Sequence, residues 1–167
     1  MSQKSASPKI TRISEISEID KAWLAGFIDG EGYIGIVKSQ KSENDQHSAS
    51  WLFHPWVIVT NTNPKAIKDI QTAIGFGKRA FLRRTEGRDK PAYQIKITKL
   101  DDVITLLETI GPYLKLKTKQ CKLMIKFCKL RKKAVIITGR GSRGNTSFGK
   151  KEENIFIDLK KLNKRGI

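Results

Sequence analysis

The sequence predicts an α+β fold of the order αββαββα, with four antiparallel strands in one sheet and helices over one of its faces. Three observations predict it. Segments with helical spacing of apolar residues are separate from segments that alternate apolar and polar. The strands come in two pairs, each joined by a polar connection, as hairpins are. The first, second and fourth strands each have an apolar and a more polar side, so one face of the sheet packs and the other is free.

The elements follow in order. Ser14 and Ser17 offer helix N-caps, with acidic residues just behind them. From 18 to 28, Ile19, Ala22, Trp23, Gly26 and Phe27 follow helical spacing, and Asp29-Gly30-Glu31-Gly32 is expected to end that helix. Residues 33–38 alternate as a strand, and 39–50 read as a polar loop. Residues 51–60 form a second strand, in which Pro55 implies an edge or a bulge. Asn63-Pro64 opens a helix to about residue 73, stopped by Gly75 and Gly77. A third strand, 78–84, turns through Glu86-Gly87-Arg88-Asp89 into a fourth, 92–98. Asp101 and Asp102 open a helix to about 110, and Pro112 breaks it. A basic helix over about 117–132, a Gly-, Ser- and Arg-rich loop over 138–149 and a last helix over 152–164 complete the chain.

The chain has 167 residues, 38% of them apolar, which suits one domain over residues 15–167 behind a flexible arm over 1–14. No apolar run approaches the roughly 20 residues of a membrane span. Met1 to Arg12 are polar and basic, unlike a secretory signal. An intracellular setting is expected, in an organelle (chloroplast or mitochondrion) or a prokaryotic cytoplasm. Cys121 and Cys128 share one helix face, and His47 and His54 lie far away in sequence, so no zinc pattern results and two buried free thiols are expected.

Charge is the strongest compositional signal. Thirty-three Lys and Arg against 16 Asp and Glu give +17. Residues 1–110 carry only +3 of this and residues 111–167 carry +14. Such an excess implies a polyanionic partner, and no basic helix carries the exposed aromatic face that would favour a membrane.

One segment carries chemistry: Leu24-Ala25-Gly26-Phe27-Ile28-Asp29-Gly30-Glu31-Gly32. Ala22, Gly26 and Gly30 recur every four residues, so one helix face lacks side chains. Glycine inside a helix costs about 0.5–1 kcal/mol relative to alanine, a cost that makes sense where another backbone approaches closely. The chain has one such segment, so its natural partner is a second copy across a two-fold axis. Asp29 and Glu31 also place negative charge at the helix C-terminus, which the macrodipole disfavours by roughly 0.3–1 kcal/mol. A bound cation would offset that, and would let two Glu31 carboxylates approach across the axis. The plainer alternative is an Asp-Gly turn joining helix to strand, with Asp29 capping it.

The segment resembles the LAGLIDADG family of homing endonucleases, in its single-motif, homodimeric form. Seven of nine letters match when Glu is allowed for Asp in the eighth place; Phe27 and Gly30 are the two departures. The resemblance extends over about residues 18–165. It takes in Val59-Thr60-Asn61-Thr62, Ile74-Gly75-Phe76-Gly77, the run 112–120 and the ending 162–166.

What the resemblance implies is a nuclease that makes a double-strand break in a long pseudo-palindromic DNA site. Mg²⁺ would be its cofactor, with Mn²⁺ or Ca²⁺ able to substitute. Glu31 matches the acidic metal ligand and the Gly30 carbonyl its backbone neighbour. Asp29 matches the acid bracing the helix end. Lys117 matches a lysine near the scissile phosphates, and Asn61 a polar residue that positions solvent. Lys65 matches a basic member of that solvent network, or is a solvated helix residue. Ala22, Gly26, Asp29 and Gly30 would line the dimer interface.

Such a protein would read DNA with the free face of its sheet. A ten-residue strand spans about 33 Å, roughly one DNA turn, and a twisted β-ribbon fits the major groove. Parity sends Val37, Ser39 and Lys41 outward on the first strand, His54 and Trp56 on the second, and Gln94 and Lys96 on the fourth. The third strand is ambiguous, because Ala80 and Leu82 compete with Phe81 for the core; Arg79, Arg83 and Arg84 are candidates there. The C-terminal lysines are expected to hold phosphates mainly. Gly144 to Lys151 nearly spells a P-loop but ends on Lys where the Mg²⁺-binding hydroxyl belongs. Two alternatives to the nuclease are an intron RNA maturase and a DNA-binding regulator that does not cleave.

Overall fold

The computed structural model describes residues 13–40, 51–82, 91–138 and 148–164. It shows a four-stranded antiparallel sheet with five helices packed on one side. The chain runs α1 (Glu18–Glu31), β1 (Gly32–Gln40), β2 (Trp51–Asn61), α2 (Pro64–Ile74), β3 (Lys78–Leu82), β4 (Ala92–Ile97), α3 (Leu100–Ile110), α4 (Thr118–Thr138) and α5 (Lys150–Leu162). Short 3-10 turns precede α1 and follow α3. The strand order is β1-β2-β4-β3, so each hairpin pairs internally and the two meet along β2 and β4.

Local chemistry accounts for the helix starts. Ser17 caps α1 by accepting from the amide of Asp20, and Asn63 caps α2 by accepting from Lys65, with Pro64 in the first turn. Gly75 closes α2 with φ 77, a left-handed conformation that glycine adopts without strain. At α5 the cap residue is Gly149, whose amide donates to the Glu152 carboxylate at 3.1 Å.

The helices and strands that the sequence predicts are present, with shifted ends. α1 does not stop at residue 28 but continues through Glu31, and Gly32 opens β1 directly, so Asp29, Gly30 and Glu31 sit in its last turn. β1 extends through Ser39 and Gln40, which by composition belong to a polar loop. α4 runs six residues past its expected end at 132. β2 is a central strand, yet β4 pairs only with its second half, from Val57 to Asn61. Pro55 lies in the half that pairs with β1 alone, where a missing amide is tolerated. The expected turn over 86–89 and residues 1–12 of the expected arm lie outside the described residues.

The core forms between the sheet and the helices. Ile34, Ile36, Phe53, Val57, Val59, Ile95 and Ile97 supply the sheet side, and Leu24, Ile28, Ile67, Ile70, Leu106, Leu107, Met124 and Phe127 are among the helical contributions. Ile13, ahead of α1, is buried in the same core. Cys121 and Cys128 are buried free thiols, and burial pushes them up to about 11 and about 12. A largely buried ion pair ties α5 to α4: Arg131 meets Glu152 at 3.5 Å and stacks on the Phe148 ring at 3.9 Å. Among the described helices none is long and apolar enough to cross a membrane.

Candidate active site and nucleic-acid interface

The last turn of α1 is built into the turn that precedes α4. Asp29 is buried, and its carboxylate accepts three backbone amides: Lys115 at 2.6 Å, Leu116 at 3.1 Å and Lys117 at 2.9 Å. The Lys117 ammonium in turn donates to the Asp29 carbonyl. Burial alone would raise the Asp29 carboxyl. The amides of Lys115, Lys117 and Leu116, with the Lys117 charge, outweigh it and hold the group below its ordinary 3.8. The sequence places Asp29 along the dimer seam. Its carboxylate turns inward, where it fixes the 115–117 turn ahead of α4 onto the end of α1.

Glu31 and Gly30 face the other way. Both are exposed, and Glu31 meets no cationic partner among the described residues. One bracket therefore holds a free carboxylate and an ammonium at the same helix end. No three His, Cys, Asp or Glu side chains converge among the described residues; with Asp29 engaged by amides, Glu31 is the exposed carboxylate at this helix end.

Asn61 and Lys65 lie at this end of the sheet. Gly32 pairs with Val59, so Asn61 stands two residues beyond that pair, about 7 Å along the strand. Its Oδ1 accepts from the Asn63 amide at 2.8 Å, which leaves its NH2 unengaged by described residues. Lys65 is turned down its own helix, paired to Asp69 at 2.7 Å and largely exposed. That is the geometry of a solvated helix residue.

The seam of α1 is open. Ala22, Gly26 and Gly30 are exposed, flanked by Ile19 at 81% and Trp23 at 39% exposure. A Cβ built on Gly26 or Gly30 would meet nothing within 4 Å. The glycines are thus not required by packing within the chain.

The register settles which side chains share the face of the sheet that no described helix covers, its uncovered face among the described residues. Partners across a ladder point the same way, so Tyr33, Val37 and Ser39 share it with His54, Trp56, Ile58, Gln94 and Lys96. Ser39 Oγ lies 3.2 Å from His54 Nε2, and Gln94 reaches Thr60 at 3.4 Å. The Lys96 ammonium sits 3.2 Å over the Trp56 ring. Tyr33, absent from the parity reading above, lies across Gly35, where a Cβ would collide with its hydroxyl. The alternation that selects Val37 selects Tyr33 equally.

On β3 the ambiguity resolves in favour of Phe81 for the helix side, and against Arg79 as a contact on the opposite face. Arg79 pairs with Ile95 and Phe81 with Tyr93, so both point to the helix side, at an exposed edge. Lys78, Ala80 and Leu82 take the uncovered face. Lys41, Arg83, Arg84 and most of the 138–149 loop lie outside the described residues. The exposed lysines of α4 do not reach this face either, because the helix lies on the other side of the sheet.

Comparison with known proteins agrees with this fold. The model of the LAGLIDADG endonuclease family matches residues 24–134. No curated protein matches the chain. Among solved structures the chain is similar to the homing endonuclease I-CvuI in complex with the I-CreI target, at 24% identity and TM-score 0.56, covering 89% of this chain and 98% of that one. It is similar to the archaeal intron-encoded homing endonuclease I-Vdi141I complexed with DNA, at 17% identity and TM-score 0.64, covering 90% and 87%. The LAGLIDADG meganuclease I-AabMI, bound to uncleaved DNA, is 21% identical with TM-score 0.57, and there 84% of this chain covers only 43% of the other. The chain belongs to the LAGLIDADG endonuclease family and is a site-specific DNA endonuclease.

Proposed function

We propose that two copies of this chain pair along α1 and make a double-strand break in a long pseudo-palindromic DNA site by metal-dependent hydrolysis. Residues 13–167 would form the single catalytic domain, since Ile13 is buried in its core, and the expected arm shortens to residues 1–12. The observation that carries the reading is the Asp29 bracket, which puts Lys117 beside the helix end that presents Glu31.

The donor set fits a hard divalent cation. An exposed carboxylate with a neighbouring backbone carbonyl suits Mg²⁺, which keeps several waters and takes few protein ligands. Mn²⁺ or Ca²⁺ would fit the same oxygens, and the I-CvuI complexes were obtained in the presence of Mg or Ca. Glu31 and the Gly30 carbonyl would hold the ion, which when bound supplies Lewis acidity at the phosphate and an acidified water. Lys117 places positive charge where the pentavalent phosphate gathers negative charge. Asn61, with its NH2 unengaged by described residues, orients solvent at the same end.

Pairing along α1 completes the site, since one chain brings one free carboxylate. An open seam with two glycines in empty space is what a close helix–helix contact requires. The match to about half of I-AabMI fits a two-copy assembly. The target duplex would lie on the uncovered faces of both sheets, read by Val37, Ser39, His54, Trp56, Gln94 and Lys96, with Tyr33 added.

Incubation of the protein with its target duplex and Mg²⁺ tests the reading. Both strands should be cut, and Glu31→Gln should abolish cleavage while leaving target affinity within about threefold. Full cleavage by Glu31→Gln, or enhanced splicing of an intron RNA without any DNA cleavage, contradicts it.

A further inference from the structure

A ridge of lysines runs along α4 on the side turned away from the sheet. Buried Cys121, Met124, Phe127, Cys128 and Arg131 define the helix's inner side. At 3.6 residues per turn, Lys119, Lys122, Lys126, Lys129 and Lys133 all fall within about 45° of the opposite direction. All five are exposed. Four of them line a groove of about 400 Å³ floored by Ile125 and Leu130. From first to last the ridge is about 21 Å long.

Little of this charge is neutralised by the described residues. Lys129 pairs with Glu108 at 2.7 Å, but Lys119, Lys122, Lys126 and Lys133 meet no carboxylate among the described residues. Like charges three and four positions apart destabilise a helix, and an anion lying along them removes that repulsion.

The composition of the ridge selects the partner. It offers ammonium groups alone, with no exposed Arg, Asn or Gln to read base edges, so it suits a backbone rather than a sequence. It has no exposed aromatic residue on which single-stranded bases would stack, or which would enter a bilayer. A straight row of charges matches a straight duplex, which carries one negative charge per about 1.7 Å of axis. The ridge and the uncovered face of the sheet look in opposite directions across both layers of the fold, so one straight duplex cannot touch both.

We propose that the α4 ridge binds the phosphate backbone of a second DNA duplex, without sequence preference, while the sheet holds the target. This rests on the reading that the sheet's uncovered face takes the target. The protein would then bridge two DNA segments.

The test tethers a target duplex to beads, loads the protein without divalent metal, and adds a labelled 30-base-pair duplex that lacks the target. The second duplex should be captured, less so as salt rises. The triple variant Lys122→Gln, Lys126→Gln, Lys133→Gln should lower capture at least tenfold. It should also reduce the slope of log affinity against log salt by about 2.7, since three fewer phosphates are neutralised. Its circular dichroism, target binding and cleavage rate should stay within twofold of the parent. Three results overturn the proposal: no capture by the parent, undiminished capture by the variant, or parallel loss of target binding. Preferential capture of a structured RNA through the same lysines also overturns it and assigns the ridge to RNA. Failure of the parent to bind the tethered target is read before the second duplex is added; it refutes the placement of the target on the sheet and the ridge proposal with it.

Discussion

Asp29 and Glu31 stand two residues apart in one helical turn and do opposite things. Asp29 is buried against three amides, while Glu31 is exposed and free to take a cation. Hydrogen bonds to a charged group contribute about 1.5–3 kcal/mol each at most, and part of this offsets the burial of the carboxylate. Asp29→Asn keeps the shape and removes the charge, so urea unfolding should show a loss of about 2–3 kcal/mol. Cleavage should fall with it, because Lys117 loses its anchor. The pH dependence follows from the depressed carboxyl, whose largest influence is burial, which raises it, outweighed by the amides of Lys115, Lys117 and Leu116 and the Lys117 charge. Since the folded value lies below 3.8, the stabilisation is complete above that pH and is lost as pH falls through the folded value. The parent should therefore lose stability on acidification in a step that Asp29→Asn lacks. The crowding of two acids at a helix C-terminus is legible in the sequence. Which one faces inward is not, because the amides that bind Asp29 come from 86 to 88 residues away.

At the scale of elements, α1 has two sides with different tasks. Leu24, Ala25 and Ile28 bury into the chain's own core, and Ala22, Gly26 and Gly30 stay outside. Gly26 has no neighbour within 4 Å of where a Cβ would stand, so a larger residue there does not disturb the single chain. Gly26→Gln should raise the unfolding free energy by about 0.5–1 kcal/mol, measured at a dilution where the chain is unpaired, because glutamine is the better helix former. The same change should weaken self-association at least tenfold by sedimentation. A variant that pairs as tightly as the parent would place the interface elsewhere. This seam is legible in the sequence from the four-residue recurrence of small side chains. The strand faces are legible as well, since alternation fixes them on β1, β2 and β4. β3 is not, because its apolar residues fall on both parities and only the pairing of Arg79 with Ile95 decides between them. The Arg131–Glu152 pair is also out of reach: one partner is in a basic helix and the other in a cap, and only packing brings them together.

On the proposed reading the whole molecule separates its charge by function. The sheet's uncovered face is mixed, polar and aromatic, fit to read bases. The helix layer carries the long lysine ridge, proposed to hold phosphates. The excess of +14 beyond residue 110 is plain in the sequence but its direction is not, since a helix's outward side depends on what its inward side packs against. The fold class and strand pairing follow from periodicity, whereas the ends of α1, β1 and α4 depend on tertiary contacts. The proposed cleavage of both strands would depend most on two chains sharing one duplex, each bringing its own Glu31. The mass of the protein complex on its target duplex, measured by sedimentation equilibrium, tests this directly. Two chains of 18.9 kDa per duplex are expected. One chain per duplex, in a complex that still cuts both strands, would contradict it.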